Sequence, residues 1–261
     1  MKPGFVLMHS LLLGPRTWTP VAARLATLGA ETVVPSLIDV VDEDDPPFWP
    51  RVSATITESL SHLPQDQPIV VVAHSNAGLL VPVVVQAVRR PVVGCLFVDA
   101  RLPPQAGATP AASPERLAYL RTKVTRGRLP QWTTWWDEKD VASLFPDPET
   151  RWAVSAEQPR LPISYYEQQI PVPAGWDHRP CGYLLFGPPY DRMAQESRER
   201  GWGVAEVPGG HLHQLVDPDA VTARIAAMTA TWGSPAALQR HGSATPAHGP
   251  SSPAPYRPIG D

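Results

Sequence analysis

The chain has 261 residues, of which 43% are hydrophobic and 18% charged. That suits one large domain with a sizeable core, with or without an inserted subdomain, better than several independent units. A net charge of -3 argues against a nucleic-acid backbone or an anionic membrane as partner. No apolar run is long enough to span a bilayer, and His9-Ser10 breaks the apolar amino terminus with no small-x-small cleavage site after it, so a cytoplasmic location is expected.

In chain order, residues 4–9 read as a buried strand, followed by the loop 10–15 and an amphipathic helix over about 18–28. A short strand centres on Thr32, Val33 and Val34, and an acidic, proline-marked loop occupies 42–47. Val52, Ile56, Leu60 and Leu63 share one face of a helix predicted over about 48–63. The β-branched run from Ile69 to Val72 predicts a buried central strand, which gives way at 73–78 to a helix reaching about residue 90. Another strand, 92–98, ends at Asp99. Strands that alternate with helices predict a mostly parallel sheet covered on both faces, an α/β class. In such a sheet, chemistry gathers at the carboxyl ends of the strands, where His9, Pro35, Ser75 and Asp99 all fall.

Between 101 and 179 that rhythm stops. The stretch is rich in proline and tryptophan, with short helices expected near 113–125, 132–145 and 149–158 and no apolar strand among them. It reads as a helical cap inserted into a core formed by 1–100 and 180–232. The α/β pattern resumes with a strand from Cys181, a helix near 190–200, a strand over 203–207 and a helix over about 218–232. Residues 233–261 carry almost no large apolar side chains and read as a disordered tail. Cys95 and Cys181 both sit in strand-like runs and read as buried, reduced thiols.

Ser75 stands where a strand turns sharply into a helix, with Ala73 and Ala77 two residues away on either side. A nucleophile elbow needs this arrangement, because its strained turn tolerates only small neighbours. A serine hydroxyl also needs a base, and the base needs an acid to hold its tautomer. His211 is the candidate base, in a glycine-marked loop before the last helix; His213 is its rival, better suited to packing. No ligand cluster accompanies that His-x-His pair, so neither a metal nor another cofactor is expected. Asp191 is preferred as the acid, with Asp99 as the competitor. The backbone N–H groups of Asn76 and Leu11 are the candidate oxyanion donors. Ser10, Trp132, Trp136 and Tyr165 are candidate substrate contacts; His9 is another, though bracing the loop is its more natural role. Arg101 and Arg192 are placed to reach a substrate carboxylate. The aromatic residues of the insert point to an apolar small-molecule substrate of the kind met in secondary metabolism.

Taken together, His9, Ser10 and Trp18, the elbow at 73–78, and the Gly210, His211 and Pro218 segment resemble the α/β-hydrolase superfamily, in particular its small esterase and hydroxynitrile-lyase-like branch. The resemblance covers the chain to about residue 232. It implies a Ser75–His211–Asp191 triad and an acyl-serine intermediate. Three departures stand out: Ser10 where glycine usually follows the histidine, alanines in place of both elbow glycines, and Asp191 one residue later than the common spacing. A hydrolase of carboxylic esters or thioesters is the first expectation. The alternatives are a lyase, cyclase or dehydratase using the Ser-His pair as a general base, and a ligand-binding protein with little turnover.

Overall fold

The computed structural model describes residues 1–42 and 45–233. The disordered tail expected over 233–261 lies outside the described residues except for Gly233. Strands β1 (Gly4–Met8), β2 (Thr32–Val33), β3 (Ile69–His74) and β4 (Val92–Val98) come from the first part of the chain. Helices α1 (Thr19–Thr27), α2 (Trp49–Ser59) and α3 (Val81–Ala87) connect them. After an insertion, β7 (Cys181–Leu185), α8 (Asp191–Glu199), β8 (Gly203–Glu206), α9 (His213–Val216) and α10 (Pro218–Thr229) complete the core. The six-stranded sheet has the order β2-β1-β3-β4-β7-β8, and every neighbouring pair in it is parallel.

Alternation along the buried strands sends side chains to two separate cores. Phe5, Leu7, Val70, Val72, Leu96 and Val98 pack on one face with Val21 and Leu25 of α1 and Val221 and Ile225 of α10. Val6, Met8, Val71, Cys95 and Phe97 face the other side, against α2, α3 and the insertion. The β-branched run of β3 is fully buried because it lies in the middle of the sheet with layers on both sides.

The insertion between β4 and β7 differs from the expectation. Two strands, β5 (Gly107–Pro110) and β6 (Gln169–Val172), pair antiparallel as a separate ribbon. They escape notice in the sequence because prolines interrupt both and apolar residues are few. Between them run α4 (Pro114–Lys123), α5 (Glu138–Ala142), α6 (Pro148–Glu157) and α7 (Ser164–Glu167). The helix expected over 132–145 is instead a 3-10 turn, Trp132–Thr134, followed by the short α5. The elbow also differs: Ser75–Leu80 is a 3-10 turn, and the α-helix begins only at Val81.

Candidate active site

Ser75 follows the last residue of β3 with φ 61, a left-handed conformation rare outside glycine. The turn is held from behind: the Ser75 carbonyl accepts the Arg101 N–H at 3.1 Å. A Cβ on Gly78 would lie 2.1 Å from the Arg101 carbonyl oxygen, so the turn and the exit from β4 are in direct contact. Ala73 and Ala77 are both fully buried at the sharp bend, which explains their small size.

Asp99 leaves β4 in a similar way, with φ 44. The backbone of the next residue is gripped by Tyr183, whose hydroxyl donates to the Ala100 carbonyl at 2.8 Å and accepts the Ala100 N–H at 2.9 Å. This turns the Asp99 carboxylate toward the loop after β8. Oδ2 lies 2.7 Å from His211 Nδ1, and Oδ1 accepts the Phe186 N–H at 3.0 Å. His211 Nε2 lies 3.1 Å from Ser75 Oγ. A carboxylate can only accept, so Nδ1 carries the proton and Nε2 presents its lone pair to the serine hydroxyl. The Ser75, His211 and Asp99 side chains therefore form one continuous hydrogen-bonded line.

Asp191, the acid preferred from the sequence, is not on that line. The turn after β7 continues through Tyr190, and Asp191 becomes the exposed first residue of α8. Burial pushes the Asp99 carboxyl well above the usual range; the N–H groups of Phe186 and Gly187 act against that shift, and the charge of Asp191 adds to it. Burial also lowers the His211 imidazole from 6.5 to about 3, so the ring is neutral at neutral pH.

Sequence reasoning missed the two residues that enclose the His211 ring. His74 lies with its ring centroid 4.5 Å from that of His211, and its Nε2–H donates to the His211 carbonyl at 2.8 Å. Burial, and then the neighbouring His211, hold its own imidazole well below 6.5. Tyr190 stacks on the His211 ring at 5.1 Å with 7° between the planes. Adjacency to Ser75 was the one signal for His74; for Tyr190 the sequence offers none. His213 packs edge-on against Phe186 and lies over Gly209, where an added Cβ would meet its ring at 2.1 Å.

The loop after β1 is fastened to the elbow. Ser10 Oγ donates to Asn76 Oδ1 at 2.9 Å and accepts the Leu12 N–H at 3.2 Å, while its carbonyl takes the Leu13 N–H at 3.0 Å. Asn76 Nδ2 reaches the Tyr166 hydroxyl at 3.5 Å. His9 braces this region: Nδ1–H donates to the Ser10 carbonyl at 2.7 Å, and Nε2 accepts the Leu37 N–H at 3.0 Å. Burial lowers its imidazole to about 4. Leu11 is fully buried between these anchors. From the insertion, the Trp132 ring comes within 6.1 Å of His211, and Trp136 packs on Trp132 at 4.8 Å. Tyr165 is buried one layer out, between Phe48 and Tyr166. Arg101 Nη1 donates to the Ala111 carbonyl, and Arg192 is exposed on α8.

The model of the family described as "Alpha/beta hydrolase family" matches residues 5–224. No curated protein matches the sequence. Among solved structures, an extracellular α/β-hydrolase from a Paenibacillus species is similar with a TM-score of 0.67 and 16% identity, covering 87% of this chain and 99% of that one. That protein is described as sharing structural and functional homology with tobacco salicylic acid binding protein 2. A methylesterase from Arabidopsis matches with a TM-score of 0.62 and 15% identity, covering 88% of this chain and 99% of its own. Tomato methylketone synthase I, complexed with β-ketoheptanoate, gives a TM-score of 0.68 at 12% identity, with 88% and 97% covered. With the family model matching most of its length and a parallel sheet that carries a serine elbow, this chain belongs to the α/β-hydrolase family.

Proposed function

We propose that the protein hydrolyses carboxylic esters or thioesters of an apolar small molecule through an acyl-Ser75 intermediate, with His211 as general base and Asp99 as its orienting acid. The observation that carries this reading is the pair of contacts on one imidazole, 3.1 Å to Ser75 Oγ and 2.7 Å to Asp99 Oδ2. The Ser75 hydroxyl passes its proton to Nε2 as Oγ bonds to the substrate carbonyl carbon. The resulting imidazolium is stabilised by Asp99, and its proton then goes to the departing alcohol or thiol. Water repeats the sequence against the acyl-enzyme, releasing the acid and restoring Ser75.

Negative charge on the tetrahedral oxygen falls to two backbone donors. The Asn76 N–H is in the first turn of a helical segment, where it has no acceptor within that segment. The Leu11 N–H is the one amide of the 11–13 turn that Ser10 does not hold. Residues 101–179 serve as a cap in this reading. Trp132 lies beside the base with Trp136 packed behind it, Tyr166 meets Asn76, and this aromatic wall favours an apolar substrate.

The test is turnover of a panel of acyl esters and thioesters by the wild type and Ser75→Ala. A loss on the order of 10⁴–10⁶ in kcat is expected, as for residues that act as one unit. A fluorophosphonate probe should add to the wild type at Ser75 and leave the variant unmodified. Near-normal turnover by Ser75→Ala would overturn the proposal. Product formation by a wild type that the probe never labels would replace the acyl intermediate with general-base chemistry at the same pair.

A further inference from the structure

Two cations in the insertion take no part in the reaction described above. Arg116, on α4, is only 8% exposed, and its Nη2 is buried with no hydrogen-bond partner. Its guanidinium carbon lies 5.3 Å from the Tyr119 ring and 5.6 Å from the Trp135 ring. Lys123, two helical turns further on, brings Nζ within 5.0 Å of the same Tyr119 ring and donates to the Trp135 carbonyl at 3.2 Å. Among the described residues, neither cation takes part in an ion pair.

This arrangement is incomplete. Two positive charges share one tyrosine ring, and a guanidinium N–H is withdrawn from water without an acceptor, which is costly. An anion seated between them would relieve both. The planar fork of an arginine suits a carboxylate or phosphate, and the ammonium adds a point charge beside it.

Ring contacts link this pair of cations to His211. Trp135, whose ring lies beside Arg116, is 5.7 Å from Trp136, which packs at 4.8 Å on Trp132, whose ring is 6.1 Å from that of His211. A chain of ring contacts therefore runs from the two cations to His211.

We propose that Arg116 and Lys123, with the Tyr119 and Trp135 rings, form an anion subsite for a carboxylate or phosphate, either carried by the substrate remote from its scissile carbonyl or bound as a free anion. The link to cleavage rests on the hydrolase reading; the anion site itself does not.

Two measurements on the full chain test it, each with wild type, Arg116→Gln and Lys123→Gln. In the first, methyl hemi-esters of straight-chain dicarboxylic acids are compared with methyl esters of the monocarboxylic acids of equal length. At the matching length, the ratio of kcat/KM for charged over neutral ester should be about tenfold or more in the wild type, the size of one charge-assisted hydrogen bond. It should collapse toward one in Arg116→Gln and shrink in Lys123→Gln. In the second, tryptophan fluorescence is titrated with inorganic phosphate and with succinate. A saturable change lost in both variants assigns a free-anion site; a charged-ester preference without that change assigns the anion to the substrate. Absence of both effects, or effects equal in wild type and variants, overturns the proposal. If no ester of any kind is turned over, the hydrolase reading fails, and the titration still decides the subsite. Should Arg116→Gln fail to fold, the half-buried Lys123 position carries the comparison.

Discussion

At the scale of single residues, the two aspartates separate what spacing can tell from what it cannot. Asp99 and Asp191 both follow strands that end at the active edge, and the linear sequence ranks them only by which strand each follows. Which of them reaches His211 is decided by φ 44 at Asp99 and by the Tyr183 hydroxyl that holds the Ala100 backbone. Neither leaves a mark in the sequence. Asp99→Asn should therefore lower kcat by roughly 10⁴, the effect of a wrong imidazole tautomer. Asp191→Asn, an exposed change, should stay within a few-fold of wild type. Steady-state kinetics on the best ester distinguishes the two, and the reverse ranking would return the acid to Asp191. The base makes its own prediction. Burial lowers His211 to about 3, so the acid limb of kcat/KM should fall well below the ordinary imidazole value of 6.5. A limb centred near 6.5 would mean that the ring is hydrated in the working enzyme.

At the scale of elements, the parallel sheet and its covering helices were legible because buried strands and amphipathic helices impose their periods on the sequence. β1, β3, β4 and β7 fall on the apolar runs read from the sequence, and Ser75 and His211 lie in the segments expected of them. The insertion was less legible. Its ribbon contains Pro110 and Pro171, and its aromatic residues are divided between their own packing and the wall near His211. With Asp99 as the proposed acid, the loop after β7 supplies Tyr190 to the His211 ring instead of a carboxylate. The join between the elbow and the β4 exit is tight enough to test. Gly78→Ala places a methyl 2.1 Å from the Arg101 carbonyl and 3.2 Å from the Ala100 Cβ. Overpacking of this kind costs about 1–3 kcal/mol. Urea unfolding should show that loss, with kcat falling as the elbow shifts.

At the scale of the whole molecule, three buried imidazoles tie folding to pH. His9 is lowered to about 4, His211 to about 3 and His74 well below 6.5, each chiefly by burial. Between about 6.5 and 4 the unfolded chain binds protons at these positions and the folded chain does not, so stability falls as pH falls through that window. Asp99 and Glu157 work the other way: burial raises both carboxyls, so the folded state keeps protons that the unfolded chain releases, which removes stability as pH rises and offsets part of the histidine effect. Each histidine adds up to about 1.4 kcal/mol per pH unit. The urea midpoint should therefore drop steeply between pH 7 and pH 5, and His9→Asn should flatten that slope by close to one proton. A midpoint independent of pH would show that these rings are not desolvated.

The bond from His74 to the His211 carbonyl has a consequence of its own. It joins the main chain of His211 to the residue immediately before Ser75, so the two side chains arrive in register as soon as the last loop settles on the sheet. An enzyme strung together in this way is cocked at rest. Its first turnover on mixing should run as fast as its hundredth, with no slow awakening while a substrate assembles the parts.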